Sequence, residues 1–370
     1  MNVDKRNLPG VLIVLVTLLV AACAPQRPPL TSDDDYPLPA AKEVFTAGYE
    51  SIRERYIEVV AVSQFAMEGL HGLGSIDPAI TVETDDGEVI VKFSGNLTKR
   101  IAAPAGDDAE GWAELTVHIT ALGRQQSTEM RKASAEKIYE AVFDGILSNL
   151  DIYSRYAGSR EAKRNRAKRS GFGGIGVRFR IIKNLPQVIF VMPDTPALKA
   201  GILKGDRITH ADGKVLDGLK QAQVSEQLRG PIHSEITLQI ERKGENAPLI
   251  VKLDRAHIVP DTVSYGHKNG IVYLKISTFN QRTARNLLNK LKKARTNLGD
   301  DIKGIVLDMR GNPGGLLKQS IQVADLFLAQ GRISETRGRH PDSLQSYDAG
   351  GRDMAYGRPV VVLVDGKSAS

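Results

Sequence analysis

The C-terminal part of the chain alternates between short apolar runs and helical patterns, and this order constrains its fold more than any other feature. Runs typical of buried strands occur at Gly270–Phe279, within IKGIVLDM and at Val360–Val364. TARNLLNKLKKAR lies between the first two runs and LKQSIQVADLFLA follows the second, and both have the spacing of helices. The order predicts a sheet with helices packed on it.

Two unusual loops follow strands of this predicted sheet. The first, GNPGG (Gly311–Gly315), is called the glycine loop, and the second, DGKSAS (Asp365–Ser370), is called the serine turn. In such sheets ligands bind at the carboxyl ends of the strands. We therefore expect the two loops to lie near each other at one edge.

The two loops carry residue types suited to nucleophilic catalysis. Gly314 and Gly315 are candidates to direct backbone N–H groups at an oxyanion, at the start of a helix whose dipole favours negative charge. Ser370 or Ser368 is the candidate nucleophile. Asn-Pro-Gly-Gly is also a good turn sequence for conformational reasons alone. A phosphate loop is excluded, because Val361 stands where GxxxxGKS requires its first glycine.

The N-terminus has the pattern of an export signal. Lys5 and Arg6 precede an apolar stretch at Val11–Val20, which is short for a membrane span. The small residues before Cys23 resemble a bacterial lipobox, in which the cysteine carries lipid. An ordinary signal peptide with an incidental cysteine is the alternative. Cys23 is the only cysteine, so no intrachain disulfide can form.

Residues 41–170 are predicted to be mainly helical. Apolar spacing predicts helices over Ala41–Met67 and Ser127–Leu150, and alternation about Asp86-Gly87 predicts a hairpin between them. The net charge of +7 is partly concentrated in Arg160–Arg169. We interpret this run as a solvated, mobile connector, with contact to an anionic membrane surface as the alternative. It has no interleaved aromatics or nucleic-acid motif, so a nucleic-acid partner is not expected.

Gly171 begins a different pattern, GFGGIGVRFR, which contains GxGxxG. A dinucleotide site would need a strand before these glycines and a helix after them, whereas here a strand follows. A glycine-rich loop before a strand instead suits a carboxylate, and the strand edge suits an extended peptide.

Together with PALKAGILKGDRI, this pattern resembles a PDZ domain over Gly171–Asp254. The resemblance implies peptide binding by the loop Gly174, Ile175, Gly176 and Val177, called the PDZ loop. After LRGP, His233 stands where many relatives have a glycine.

Several motifs in order resemble the carboxy-terminal processing, or tail-specific, proteases: a signal peptide, LDIYSRY, the PDZ-like unit, GIVYLKISTFNQRT, VLDMRGNPGGLL and VDGKSAS. The resemblance implies a multidomain α+β fold that ends in an incomplete α/β peptidase core of the crotonase/Clp-like type. The expected organisation is a signal peptide with lipobox (1–22), a tether (23–40), an N-terminal helical region with a small hairpin (41–170), a PDZ domain (171–255) and a partial serine peptidase core (256–370).

The resemblance also implies the roles of residues. The family uses a serine–lysine dyad, and the second serine of its SASASE run corresponds to Ser370, with Ser368 as the structural alternative. The family's lysine lies further downstream, and Lys367 is no obvious substitute. We therefore expect the sequence to be a C-terminally truncated fragment that is inactive by itself. Arg229 of LRGP is expected either to couple peptide binding to active-site assembly or to form an interdomain salt bridge.

The expected function is that of an exported serine endopeptidase that captures protein C-termini and cleaves them in the bacterial envelope, facing the periplasm or the exterior. The expected partners are proteins with accessible C-terminal tails and, through lipid on Cys23, a membrane. No metal or organic cofactor is implied. The alternative is a catalytically inactive PDZ lipoprotein that binds peptides or acts as a scaffold.

Overall fold

The computed structural model describes residues 36–93 and 97–370, and its apolar side chains form three separate cores. The first core lies between Ala41 and Ile146, the second between Ile175 and Leu253, and the third between Val263 and Ala355. The predicted signal peptide and Cys23 lie outside the described residues. No helix in the described part of the chain is both long and apolar enough to cross a membrane.

The N-terminal region contains five helices around the first core: α1 (Leu38–Arg55), α2 (Val62–His71), α3 (Ala109–Gln126), α4 (Thr128–Lys132) and α5 (Ala135–Leu147). The predicted helix over Ala41–Met67 is interrupted after Arg55, where Ile57, Val59 and Val60 bring β-branched residues with lower helix propensity. The predicted helix over Ser127–Leu150 is interrupted at Ser134, whose side chain caps α5 by accepting from the Lys137 N–H.

A three-stranded antiparallel sheet covers these helices, with strands β1 (Thr81–Asp85), β2 (Glu88–Lys92) and β3 (Thr98–Ala102). The predicted hairpin is confirmed, because β1 and β2 pair across Asp86-Gly87. Both turn residues have positive φ, at 45° and 77°, as a tight two-residue hairpin turn requires.

The basic run forms a helix, α6 (Ser159–Ser170), instead of a mobile connector. Lysine, arginine and alanine are good helix formers, and no side chain of α6 is buried, so the solvated part of the prediction agrees with the structure. The helix ends at Gly171, which has a φ of 85°.

The second core belongs to an antiparallel sheet with two short helices. Its elements are β4 (Phe172–Gly174), β5 (Val177–Ile182), β6 (Leu185–Val191), α7 (Pro196–Lys199), β7 (Arg207–Ala211), β8 (Lys214–Val215), α8 (Gln221–Leu228), β9 (Glu235–Glu241), β10 (Leu249–Asp254) and β11 (Ala256–Ile258). The strand order is β10-β9-β7-β6-β5, with β8 paired to β7. Strand β5 therefore lies at one edge. Strand β4 pairs separately with β11, where the chain leaves this unit.

The third core lies under a four-stranded sheet of order β12-β13-β14-β17. Its elements are β12 (Val263–Lys268), β13 (Ile271–Ile276), α9 (Thr283–Leu298), β14 (Gly304–Asp308), α10 (Leu317–Asp325), the hairpin β15 (Arg332–Thr336) and β16 (Gln345–Asp348), and β17 (Val360–Leu363). Strands β13, β14 and β17 are parallel, which confirms the predicted alternation of strands and helices. The three units together confirm the predicted multidomain α+β fold.

Candidate active site

The strand register brings the glycine loop and the serine turn together. Strands β14 and β17 run parallel, with Asp308 opposite Leu363, so the loops that follow them leave the same edge of the sheet. The Ala369 N–H donates to the Asn312 carbonyl over 3.0 Å, which joins the two loops directly.

Gly314 lies against Ser370. A Cβ placed on Gly314 would be 2.7 Å from the Cβ of Ser370 and 2.5 Å from its carbonyl oxygen. Gly314 also has a φ of 101°, which disfavours any side chain. Only glycine therefore lets the chain pass this close to the serine.

The two candidate oxyanion amides differ in their hydrogen bonding. The Gly314 N–H donates to Asn312 Oδ1 over 2.8 Å, so this amide is already occupied. Gly315 forms a parallel bridge with Phe279, which follows β13, but does not itself bond to Phe279. The Phe279 N–H donates to the Gly314 carbonyl, and the Phe279 carbonyl accepts from the Leu316 N–H. In such a parallel bridge the N–H of the central residue points away from its partner. The Gly315 N–H thus faces the β17 side, and no acceptor for it exists in residues 36–93 and 97–370.

The two candidate serines also differ. The Ser368 hydroxyl donates to the Met309 carbonyl over 2.8 Å and accepts from the Asp365 N–H over 3.0 Å. It therefore ties the serine turn to the end of β14. The Ser370 side chain is exposed, its hydroxyl has no hydrogen-bond partner in the described part of the chain, and its φ is 43°.

Asp365 is a site residue that the sequence analysis missed. Its Oδ1 accepts from the Gly311 N–H over 2.9 Å and from the Lys367 N–H over 3.0 Å. These bonds, led by the one from Gly311, lower the pKa of the Asp365 carboxyl. One exposed carboxylate thus joins both loops. In the sequence, the position of Asp365 directly after an apolar strand and before a glycine could have indicated this role.

Asp308 was also missed, although it ends the buried strand β14. It is fully buried and accepts from Arg310 through Nε (2.9 Å), the second guanidinium nitrogen (3.0 Å) and the backbone N–H (3.0 Å). The Tyr273 hydroxyl donates to Asp308 Oδ2, which also accepts from the second guanidinium nitrogen of Arg310, and Lys275 Nζ lies 3.6 Å from the same oxygen. Arg310 first, then Tyr273, hold the pKa of Asp308 well below its usual range, and Asp308 raises the pKa of Arg310. The pair fixes the strand end from which the glycine loop starts.

Asn312 completes the support of the glycine loop. It is only 2% exposed, and its Nδ2 group has no hydrogen-bond partner among the described residues. Its Oδ1 and its carbonyl both hold neighbouring backbone amides, those of Gly314 and Ala369. A polar side chain is therefore buried at the contact between the two loops.

The PDZ loop is held by its own main chain. The carbonyls of Ile175 and Gly176 accept from the Ala197 and Met192 N–H groups over 2.9 and 2.8 Å. In a trans peptide the N–H points opposite to the carbonyl, so the amides of Gly176 and Val177 point away from these partners. Gly176 has a φ of 88°, and a Cβ on it would collide with Thr195.

Arg229 follows α8 and lies over an aromatic ring. Its guanidinium carbon is 3.9 Å from the centroid of the Phe172 ring, and partial burial lowers its pKa. No carboxylate of the described residues lies within 4.0 Å of it, and both expected roles of Arg229, coupling and an interdomain salt bridge, stay predictions. His233, also noted in the sequence, has a φ of 69°, which is the conformation that a glycine would adopt there easily.

Comparison with known proteins identifies two parts of the chain. The family model for peptidase family S41 matches residues 270–370, and that for the PDZ domain matches residues 173–253. A carboxy-terminal-processing protease of Bartonella bacilliformis is 39% identical over 237 residues, which are 64% of this chain and 55% of the relative. A probable CtpA-like serine protease of Staphylococcus saprophyticus is 31% identical over 244 residues, which are 65% of this chain and 48% of that protein. The chain thus spans about half the length of these curated relatives.

Solved structures show weaker likeness. A photosystem II D1 C-terminal processing protease has a TM-score of 0.36 and 18% sequence identity. The match covers 90% of this chain and 76% of the chain of that protease. The PDZ domain of a carboxy-terminal protease from Vibrio cholerae, in complex with peptide, has a TM-score of 0.22 and 23% sequence identity. The match covers 24% of this chain and 96% of the chain of that PDZ domain.

The two matched units are the ones that carry the PDZ loop and the paired loops around Ser370. Their order along the chain is also the order in the motif pattern of the sequence. Residues 173–253 therefore match the PDZ domain and residues 270–370 match peptidase family S41, and the chain is similar to carboxy-terminal-processing proteases.

Proposed function

We propose that the complete protein is an exported, lipid-anchored serine endopeptidase that binds protein C-termini through its PDZ domain and cleaves the bound protein. Cys23 carries the lipid, and the enzyme faces the periplasm or the cell exterior. The observation that carries the proposal is the contact between Ser370 and Gly314, beside the unoccupied N–H of Gly315. Ser368 serves as a structural residue, because its hydroxyl already bonds to Met309.

The proposed mechanism is acyl transfer by a serine–lysine dyad. The Ser370 hydroxyl attacks the scissile carbonyl while a neutral lysine, expected downstream of Ser370, takes its proton. The Gly315 amide and the amide that follows Ser370 stabilise the oxyanion. The leaving amine takes the proton back, and water then attacks the ester to release the acyl group and restore Ser370. The lysine must be desolvated, since its ordinary pKa is about 10.4.

Substrate capture is proposed to occur on strand β5. This strand lies at the edge of the PDZ sheet, next to the outward amides of the PDZ loop, so a peptide can add as a further strand with its carboxylate on those amides. The same feature favours the second candidate function, an inactive peptide-binding protein.

The test is cleavage of a reporter protein with an apolar C-terminal tail by the complete gene product. We expect Ser370→Ala to abolish cleavage while tail binding remains, because the nucleophile is lost and the PDZ loop is unchanged. Ser368→Ala is the matched control and should retain cleavage, at a reduced rate. Full cleavage by Ser370→Ala would contradict the proposal, and a wild-type protein that binds tails without cleaving them would favour the peptide-binding function.

A further inference from the structure

We propose that the PDZ domain selects C-terminal tails with acidic side chains at the penultimate position and two residues before it. Arg178 and Arg180 form ion pairs with these acidic side chains. Counting the last residue of the tail as position 0, these are positions −1 and −3. The inference rests on the proposed capture of tails along β5 and goes beyond it by naming the preferred tail.

The two faces of β5 differ sharply in chemistry. Val177, Phe179 and Ile181 are partly buried and pack against the core of the domain. Arg178 and Arg180 alternate with them and are exposed on the opposite face. A peptide paired with β5 alternates in the same way, so one set of its side chains meets apolar groups and the other set meets guanidinium groups.

The register of the bound tail follows from the PDZ loop. Ile175 of this loop is 2% exposed and belongs to the same core as Val224 and Leu228 of α8. When the loop amides hold the terminal carboxylate, the side chain at position 0 lies at this apolar end of β5. Position −2 then faces the same side, and positions −1 and −3 face the side of the arginines.

The two arginines are available for new ion pairs. Neither lies within 4.0 Å of a carboxylate of the described residues. Arg178 is opposite Phe190 of β6 in the strand register, and its guanidinium carbon is 4.4 Å from the ring centroid. Directly opposite residues of antiparallel strands share one face of the sheet. Phe190, which is 41% exposed, therefore keeps the Arg178 charge on the outer face, the face toward which position −1 would point.

The expected gain is moderate because the pairs are exposed to solvent. We expect each acidic residue to tighten binding roughly two- to five-fold relative to its neutral amide counterpart. The gain should decrease as salt is added, since the screening length falls to about 3 Å at 1 M salt. Affinity from the carboxylate and the apolar position 0 should depend less on salt.

The test measures fluorescence anisotropy of labelled peptides with the full 370-residue chain. Three peptides end in Glu-Ala-Glu-Val, Gln-Ala-Gln-Val and Lys-Ala-Lys-Val, and a fourth repeats the first with a C-terminal amide. The expected order of affinity is Glu over Gln over Lys. In the double variant Arg178→Gln/Arg180→Gln, the Glu and Gln peptides should bind equally. Lys252→Gln, which removes one positive charge from β10 at the opposite edge of the sheet, should keep the preference.

The outcomes separate the inference from the proposal on which it rests. Equal binding of the Glu and Gln peptides by the wild-type chain, both tighter than the amidated peptide, would overturn the acidic preference and leave tail capture standing. A preference that survives in the double variant would overturn the role of the two arginines. Failure of every peptide to bind, or equal binding of the amidated peptide, would overturn tail capture and the acidic preference with it.

Discussion

The PDZ loop and the glycine loop both contain glycines with positive φ, but different atoms hold them in place. The PDZ loop is fixed by main-chain bonds from Met192 and Ala197. The glycine loop also has main-chain bonds, with Phe279 and Ala369, but two of its amides, those of Gly314 and Gly311, are held by the side chains of Asn312 and Asp365. Main-chain bonds survive most substitutions and changes of pH, whereas carboxylate and amide side chains can be removed or protonated. The glycine loop should therefore be the more easily perturbed of the two.

The largest effect is expected from Gly315→Ala. Its Cβ would lie 2.1 Å from the Phe279 carbonyl oxygen, a backbone atom that cannot rotate away, and its φ of 153° is unfavourable for alanine. We expect the free energy of unfolding of the C-terminal unit to fall by about 3 kcal/mol. Chemical denaturation followed by fluorescence or circular dichroism measures it.

Gly311→Ala is the matched control within the same loop. Gly311 has a φ of 72°, but an added methyl group would have no atom within 4 Å, so only conformational strain of about 1 kcal/mol is expected. Equal losses for the two variants would contradict the close contact with Phe279.

A smaller effect is expected from Asp308→Asn. The substitution removes the charge that accepts from Arg310 and Tyr273, and charged hydrogen bonds contribute about 2 kcal/mol each to stability. Because Arg310 is half exposed and can be solvated, we expect a total loss of about 2 kcal/mol in the same denaturation measurement. Asp300→Asn, which removes an exposed carboxylate paired with Arg295 and Arg358, is the control and should change stability by less than about 0.5 kcal/mol. A loss for Asp308→Asn as small as that of the control would show that the buried carboxylate is not what fixes β14.

The sequence predicted the parts of this comparison that depend on local pattern. Apolar runs and glycines located the strands of the sheet and the two loops, because strand and turn propensities depend on adjacent residues. The helix break after Arg55 and the helical state of the basic run were missed, since periodicity alone does not weigh β-branched residues or the propensity of lysine and arginine.

The hydrogen bonds of the candidate site were beyond the sequence. Asn312 occupies the Gly314 amide, and the Gly315 amide is left unoccupied. This arrangement depends on the bridge between Gly315 and Phe279, which are 36 positions apart. The contact of Asp365 with Gly311 spans 54 positions. Such contacts are set by tertiary packing, so a motif can name the loop but not the atoms that hold it.

The smallest effect, and the most local, is expected on lowering the pH. The pKa values of Asp308 and Asp365 are lowered in the folded chain, so their charged forms stabilise it. That contribution is fully present above the unfolded pKa of about 3.9 and is lost as the pH falls through the lowered folded values. The N–H groups of Arg310 and Gly311, which donate to these carboxylates, should therefore keep their protection from hydrogen exchange near pH 4 and lose it only as the pH falls further, through the lowered folded pKa values. The N–H groups of Met192 and Ala197, which donate to carbonyls, should keep theirs.

Hydrogen exchange resolved by amide and corrected for the intrinsic pH dependence measures this difference between the loops. In Asp365→Asn the Gly311 amide should be less protected already at neutral pH and should no longer respond to acid, because an amide oxygen is a weaker acceptor and does not titrate. Parallel loss of protection at all four amides would instead mean global unfolding, and would contradict the view that carboxylates hold one loop while the main chain holds the other.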